Sequence, residues 1–291
     1  MTWIPRGNDI VLTLQGGLGN QLFEWAFAHA LAAEGRTVVF DRVRLRGERP
    51  YALGGLIRPD EFLARPTGLI LALATRRKML TDTSTLRFVP QVHSGFDRTV
   101  RERLSGRSYL QGYFQSPRYF DAVADDVRVR VSAHLAGMLT PSGADLAEEL
   151  RRDPTSVAVH VRRGDYLTNP DATAKHGVLD QKYYDEALAL TDELGHSRRI
   201  WFSDDPEWVA AHLARPGDTV CPPEATTDDG GQIALMSACA ARITANSSFS
   251  WWGGWLGEPS TPQHPVIAPR SWFADQHSDA SDLIPEGWLR L

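Results

Sequence analysis

The sequence predicts an α/β protein built on parallel strands, and three features point to that class. Short apolar runs of strand type alternate with stretches that carry apolar residues at helical spacing. The first 45 residues make a complete β-turn-α-β pattern. Pro141-Ser142-Gly143, between two helical stretches, reads as a boundary that divides the 291 residues into two βα halves. The expected domains are therefore 1–143 and 144–291.

In the N-terminal half, residues 9–14 read as a strand, the glycine turn QGGLGN (15–20) follows, and residues 21–34 read as a helix. Gly35 suits the position just past a helix end, and residues 37–41 form the next strand. Residues 45–135 show no clear period. They hold an arginine-rich loop, the apolar-then-basic stretch LILALATRRKML (69–80) and the aromatic segment YLQGYFQSPRYF (109–120). In the C-terminal half, strands are expected at 156–161, 199–203, 242–245 and 265–268, with helices at 181–194, 206–214, 231–240 and 248–256. Such alternation implies parallel strands joined by crossover helices.

The composition, 42% hydrophobic and 23% charged, is that of a globular protein able to bury a sizeable core. A formal net charge of −5 gives no sign of nucleic-acid binding. Lysine occurs only at Lys78, Lys175 and Lys182, so nearly all positive charge is arginine. The start, MTWIPRGND, lacks the pattern of a secretory signal, and the longest apolar run falls short of the roughly 20 residues that span a bilayer. Cys221 and Cys239 fit neither a disulfide framework nor a metal site and read as reduced thiols. A cytoplasmic protein with at most peripheral membrane contact is expected. The stretch 69–80 could supply that contact or pack as a core helix.

The glycine turn invites a dinucleotide reading, with Gly17 and Gly19 in place and Asp41 at about the distance of a ribose-binding acid. The pattern fails at its third glycine, where Leu22 stands. Asn20 and Gln21 put two amides at the helix entry, where they could cap the helix or bind sugar or phosphate oxygens.

HVRRGDY (160–166) places arginines on the end of a hydrophobic strand. Strand alternation sets Ala158, His160 and Arg162 on one face and Val157, Val159 and Val161 on the other. An arginine there needs an anion, either an internal carboxylate or a ligand phosphate. An Arg163–Asp165 pair is expected, with Arg162 directed to a ligand. Downstream, ANSSFSWWGGWL (245–256) starts a helix at Asn246, Ser247 and Ser248, whose free N–H groups suit an anion at a strand end. Trp251, Trp252 and Trp255 recur at helical spacing and read as core. In WFSDDPEW (201–208), Asp205 is the natural N-cap before Pro206, which would leave Asp204 free at the sheet edge to accept from guanine. The chain contains no Asp-x-Asp motif of the kind that bridges a metal to a nucleotide sugar, so no metal is expected and arginine becomes the cation opposite a leaving diphosphate.

Together these segments resemble the α-1,2-fucosyltransferases of glycosyltransferase family eleven, bacterial type. The resemblance rests on residues 14–31, LQGYFQSPRYF (110–120), HVRRGDY, FSDDPEWV (202–209), LMSACA (235–240) and ANSSFSWWGGWL, in that order. It implies a GT-B-like fold of two Rossmann-like domains facing a cleft, GDP-β-L-fucose as donor, no cofactor, and inverting transfer to a glycan acceptor. The acceptor implied is the 2-OH of a terminal β-galactoside. Arg162 would hold the β-phosphate with His160 beside it, and Asn20 would face the transferred sugar or the acceptor. Asp204 and Asp205 would lie on the guanine side and Ser247, Ser248 and Phe249 at the phosphates, while Gly17 and Gly19, in the loop of the acceptor-side domain, would also contribute to donor binding. Residues 42–108 match nothing in that family, and no general base is marked beyond Asp165 and Asp41. Two rival readings remain: an NAD-dependent sugar-nucleotide oxidoreductase, resting on the glycine turn and Asp41, and a glycan-binding protein using the tryptophans.

Overall fold

A computed structural model describes residues 9–45, 50–63, 69, 86–104, 106–164, 173, 177–274 and 280–291. The chain forms two compact units, Met1–Val131 with Ser281–Leu283, and Ser132–Ala280 with Ile284–Leu291. The expected Arg163–Asp165 pair, Asp165 as a base and most of the stretch 69–80 lie outside the described residues.

In the first unit, strands β1 (Ile10–Thr13), β2 (Val38–Asp41), β3 (Arg87–Pro90) and β4 (Ser108–Gln111) form a parallel sheet in the order β2-β1-β4-β3. Helix α1 (Leu18–Ala33) follows β1, and the short α2 (Thr99–Arg103) joins β3 to β4. Every residue of β1 is buried, as in sheets covered on both faces. Gly35 ends α1 in the left-handed region at φ +83°, where a side chain would be strained. Strand β3 escaped the sequence reading for a physical reason. RFVP is an edge strand with one buried residue, an arginine and a proline, so no apolar period is visible.

Helix α3 (Ala124–Ala136) leads into α4 (Pro141–Arg152). The units part between Val131 and Ser132, inside α3, and Pro141-Ser142-Gly143 opens α4 instead of marking the boundary. Thr140 caps the Gly143 N–H at 3.2 Å with Pro141 in the first turn. A Cβ at Gly143 would come within 1.9 Å of the Ala225 carbonyl oxygen, so this glycine serves a close approach.

The second unit holds β5 (Ser156–Val161), β6 (Arg198–Ser203), β7 (Thr219–Val220), β8 (Ala241–Ile243), β9 (Val266–Ala268) and β10 (Leu289–Arg290). All pair in parallel in the order β10-β9-β8-β5-β6-β7. The crossover helices are α5 (Gln181–Glu193), α6 (Pro206–His212), α7 (Asp229–Ala238) and α8 (Ser248–Leu256). Val157, Val159 and Val161 share one core cluster with Tyr183, Tyr184, Ala187, Leu188 and Trp201, which bears out the strand alternation. Trp251, Trp252 and Trp255 are buried, as expected of core residues. Both units are Rossmann-like. Among the described residues no helix is long and apolar enough to cross a membrane.

Candidate functional site

The strand order of the second unit reverses between β5 and β8, with β6 and β7 laid down on one side and β9 and β10 on the other. At such a reversal the loops leaving the two central strands diverge and open a crevice at their carboxyl ends, where α/β sheets bind ligands. Val159 lies beside Ile243 in the register, so His160–Arg162 and the residues after Ile243 leave the sheet at the same edge.

Arg162 and Asp204 meet there, because β5 and β6 end in register with Val161 beside Ser203. Arg162 Nη1 lies 3.1 Å from Asp204 Oδ2. The same carboxylate accepts the backbone N–H groups of Arg163 and Gly164, each at 3.0 Å. These N–H groups lie just past the end of the strand, and Asp204 satisfies them. Asp204 is therefore not free at the sheet edge: a carboxylate offers about four acceptor sites, and this one already holds three partners. Gly164 makes the arrangement possible, since a Cβ there would lie 2.6 Å from Asp204 Oδ2. Asp205 caps α6 by accepting the Trp208 N–H at 3.2 Å, as expected. Arg163 pairs with Asp205 at 3.4 Å and lies over the Trp208 ring at 3.5 Å from its centroid.

On the β8 side, Ser247 is the N-cap of α8 and accepts the Phe249 N–H at 3.3 Å. The Ser250 hydroxyl accepts the Ala245 N–H at 3.2 Å, which fixes the turn between strand and helix. Ser248 and Phe249 are half-buried in the first turn. His160 lies against that turn, its ring centroid 5.6 Å from that of Phe249. Burial, with Arg162 adding to it, pushes the imidazole pKa down to about 3, so His160 is neutral at working pH. Its carbonyl accepts the Tyr184 hydroxyl at 3.3 Å. Its Nδ1 has no hydrogen-bond partner among the described residues. His160, Arg162, Asp204, Asp205, Ser247, Ser248 and Phe249 thus all belong to this one edge of the second unit.

Gly17, Gly19 and Asn20 belong to the first unit. Gly17 is the N-cap of α1, with no side-chain cap bond, so neither amide caps the helix. Gln21 is fully buried and structural: its amide donates to the carbonyls of Gly16 at 3.0 Å and Pro50 at 2.8 Å and accepts the Ala52 N–H at 3.0 Å. Asn20 is half-buried, and its Oδ1 accepts Gln115 Nε2 at 2.6 Å. Asp41 is buried beneath the sheet edge, where it accepts the Tyr109 hydroxyl and the Val43 N–H, both at 2.9 Å. An enclosed Asp41 is placed for neither ribose binding nor general-base work.

The profile of glycosyl transferase family 11 matches residues 91–291. The chain belongs to that family. An α-1,2-colitosyltransferase from Escherichia coli is 30% identical over 97% of this chain and 98% of its own length. The O-antigen biosynthesis glycosyltransferase WbnK from Escherichia coli is 37% identical over 96% of this chain and 99% of its own. The galactoside 2-α-L-fucosyltransferase SEC1 from Bos taurus is 24% identical over 89% of this chain and 67% of its own.

As a family 11 glycosyltransferase, the chain has relatives named for fucosyl and colitosyl transfer. Its two Rossmann-like units are the parts a GT-B-like enzyme is made of. The oxidoreductase reading loses its ribose acid with the burial of Asp41, and the tryptophan reading loses its platform with the burial of Trp251 and Trp252. Cys221 and Cys239 are free thiols, both pushed up to about 12 by burial, and carry no nucleophile at neutral pH. The sequence reading missed the threefold use of Asp204, the close approach at Gly164, and Gln115, which stands inside a segment read for its aromatics and its family resemblance but given no role of its own.

Proposed function

We propose that the protein transfers L-fucose from GDP-β-L-fucose to a glycan hydroxyl, the 2-OH of a terminal β-galactoside, with inversion and without a metal. The observation that carries the reading is the edge between β5 and β8, where the register brings the end of β5, with Arg162, and the turn into α8 out of the sheet at the same edge. The serine hydroxyls at the N-terminal turn of α8 suit diphosphate oxygens, and a helix N-terminus favours negative charge. Arg162 would pass from Asp204 to the β-phosphate as charge develops on the departing nucleotide. Asp204 would keep the loop after β5 in place during that exchange, and its remaining acceptor capacity is available to the guanine edge. His160, held neutral, would act as a hydrogen-bonding wall of the donor site and not as a cation. The attacking hydroxyl must lose its proton, and the charge-stabilising edge makes the nucleotide a leaving group good enough for a weak base to suffice.

The resemblance to an α-1,2-colitosyltransferase makes nucleotide-activated colitose the competing donor. The test is incubation with GDP-fucose and with nucleotide-activated colitose against a panel of β-galactosides, with the linkage read by NMR. An α-1,2-fucosyl product supports the reading. Transfer of colitose alone corrects the donor, and release of neither nucleotide in the presence of any acceptor overturns it.

A further inference from the structure

At the carboxyl edge of the first sheet, Asn20 is joined by a second amide, Gln115, to which nothing so far has given a role. Asn20, in the first turn of α1, and Gln115, in the loop after β4, are joined by a 2.6 Å hydrogen bond from Gln115 Nε2 to Asn20 Oδ1. That bond leaves the Asn20 amide nitrogen as a donor and the Gln115 carbonyl oxygen as an acceptor, side by side on half-buried groups. A sugar hydroxyl is both donor and acceptor, so one hydroxyl, or two neighbouring ones, would complete both amides at once.

The loop that supplies Gln115 is held with unusual care. Gln91 Oε1 accepts the N–H of Tyr113 at 3.0 Å and of Phe114 at 2.9 Å. Phe114 is fully buried with φ at +50°, a left-handed conformation that costs a non-glycine residue about 1–2 kcal/mol. Tyr113, next to it in the chain, is exposed. On the other side of the pair, the Asn20 side chain lies directly over Gly16. A Cβ there would meet its amide nitrogen at 2.4 Å. The two side chains of the pair are themselves uncharged. An uncharged amide pair suits a neutral polyol better than a diphosphate, to which it would bring hydrogen bonds but no positive charge.

We propose that Asn20 and Gln115 recognise hydroxyls of the neutral acceptor glycan. The proposal deepens the transferase reading and rests on it for the word acceptor, but the binding it asserts can be measured without turnover. Saturation-transfer NMR on the full chain, with β-galactoside-terminated oligosaccharides and GDP as separate probes, reads each ligand directly. Gln115→Leu should weaken glycan binding roughly tenfold, the size of one lost hydroxyl contact, while GDP binding stays within twofold of wild type. Gln115→Glu, which keeps length and acceptor but loses the donor to Asn20, should fall between the two, and melting curves by circular dichroism report whether each variant folds. Loss of GDP binding in place of glycan binding, unchanged glycan binding in a folded Gln115→Leu, or no glycan binding by wild type would each overturn the proposal. Glycan binding lost with Gln115 in a chain that transfers no fucose would leave the amide site standing and overturn only the fucosyl reading.

Discussion

At the carboxyl edge of the second sheet, Arg162 is paired with Asp204 at 3.1 Å, and β8 leads into a serine-capped helix start. At the corresponding edge of the first sheet, two amides meet at 2.6 Å. Both edges follow a strand, a loop and a helix N-terminus, and both use glycine for a close approach, Gly164 to Asp204 and Gly16 to Asn20. They differ in charge. On the proposed reading, the second edge would hold and release an anion and the first would grip neutral hydroxyls. Two Rossmann-like units with the same backbone logic can therefore divide a transfer reaction by side-chain chemistry alone.

Substitutions at either edge can break or sharpen this division. The largest effect is expected for Arg162→Ala, which should lower kcat/KM by roughly 10²–10³, the usual cost of one charge-stabilising group. Steady-state kinetics with varied donor check it, and a value within threefold of wild type would remove the residue from its role. Asp204→Asn keeps the shape but loses the charge that holds Arg162 and the strand-end N–H groups. A fall in donor kcat/KM of about tenfold to a hundredfold is expected, with the acceptor KM unmoved. Gly16→Ala should cost about 1–2 kcal/mol of stability from its left-handed φ of +74° and raise the acceptor KM by displacing Asn20. Urea titration and acceptor kinetics report the two parts separately.

The smallest effect concerns Glu24, fully buried in α1, where one carboxyl oxygen accepts the Gln15 N–H at 3.0 Å. Burial raises its pKa well above 4.5. The folded chain thus holds this proton more tightly than the unfolded one. Its contribution to stability is full below pH 4.5 and is lost as pH rises through the folded-state value. Glu24→Gln, neutral at every pH, should flatten the decline in denaturant-measured stability that sets in as pH rises above 4.5. An unchanged slope would place the decline elsewhere.

Much of the second unit was legible in the sequence. The limits of β5 and α8 emerge as read, because SVAVHV is buried throughout and Ser247 before an apolar helix is a strong start signal. Arg162 was legible too, since an arginine ending a buried strand demands an anion. Its partner was not: Asp204 meets Arg162 through the register of β5 and β6, and pairing register is invisible in a single sequence. Gln115 stayed hidden for the same kind of reason, lying 95 positions from Asn20 and joined to it only by the fold. The two-residue strands β7 and β10 are too short for any period to show.

Isothermal titration of GDP into wild type, Arg162→Ala and Gln115→Leu tests the division of labour most directly. The expected result is a dissociation constant raised at least about tenfold in Arg162→Ala and unchanged in Gln115→Leu. Equal weakening of GDP in both variants, or in neither, would contradict it.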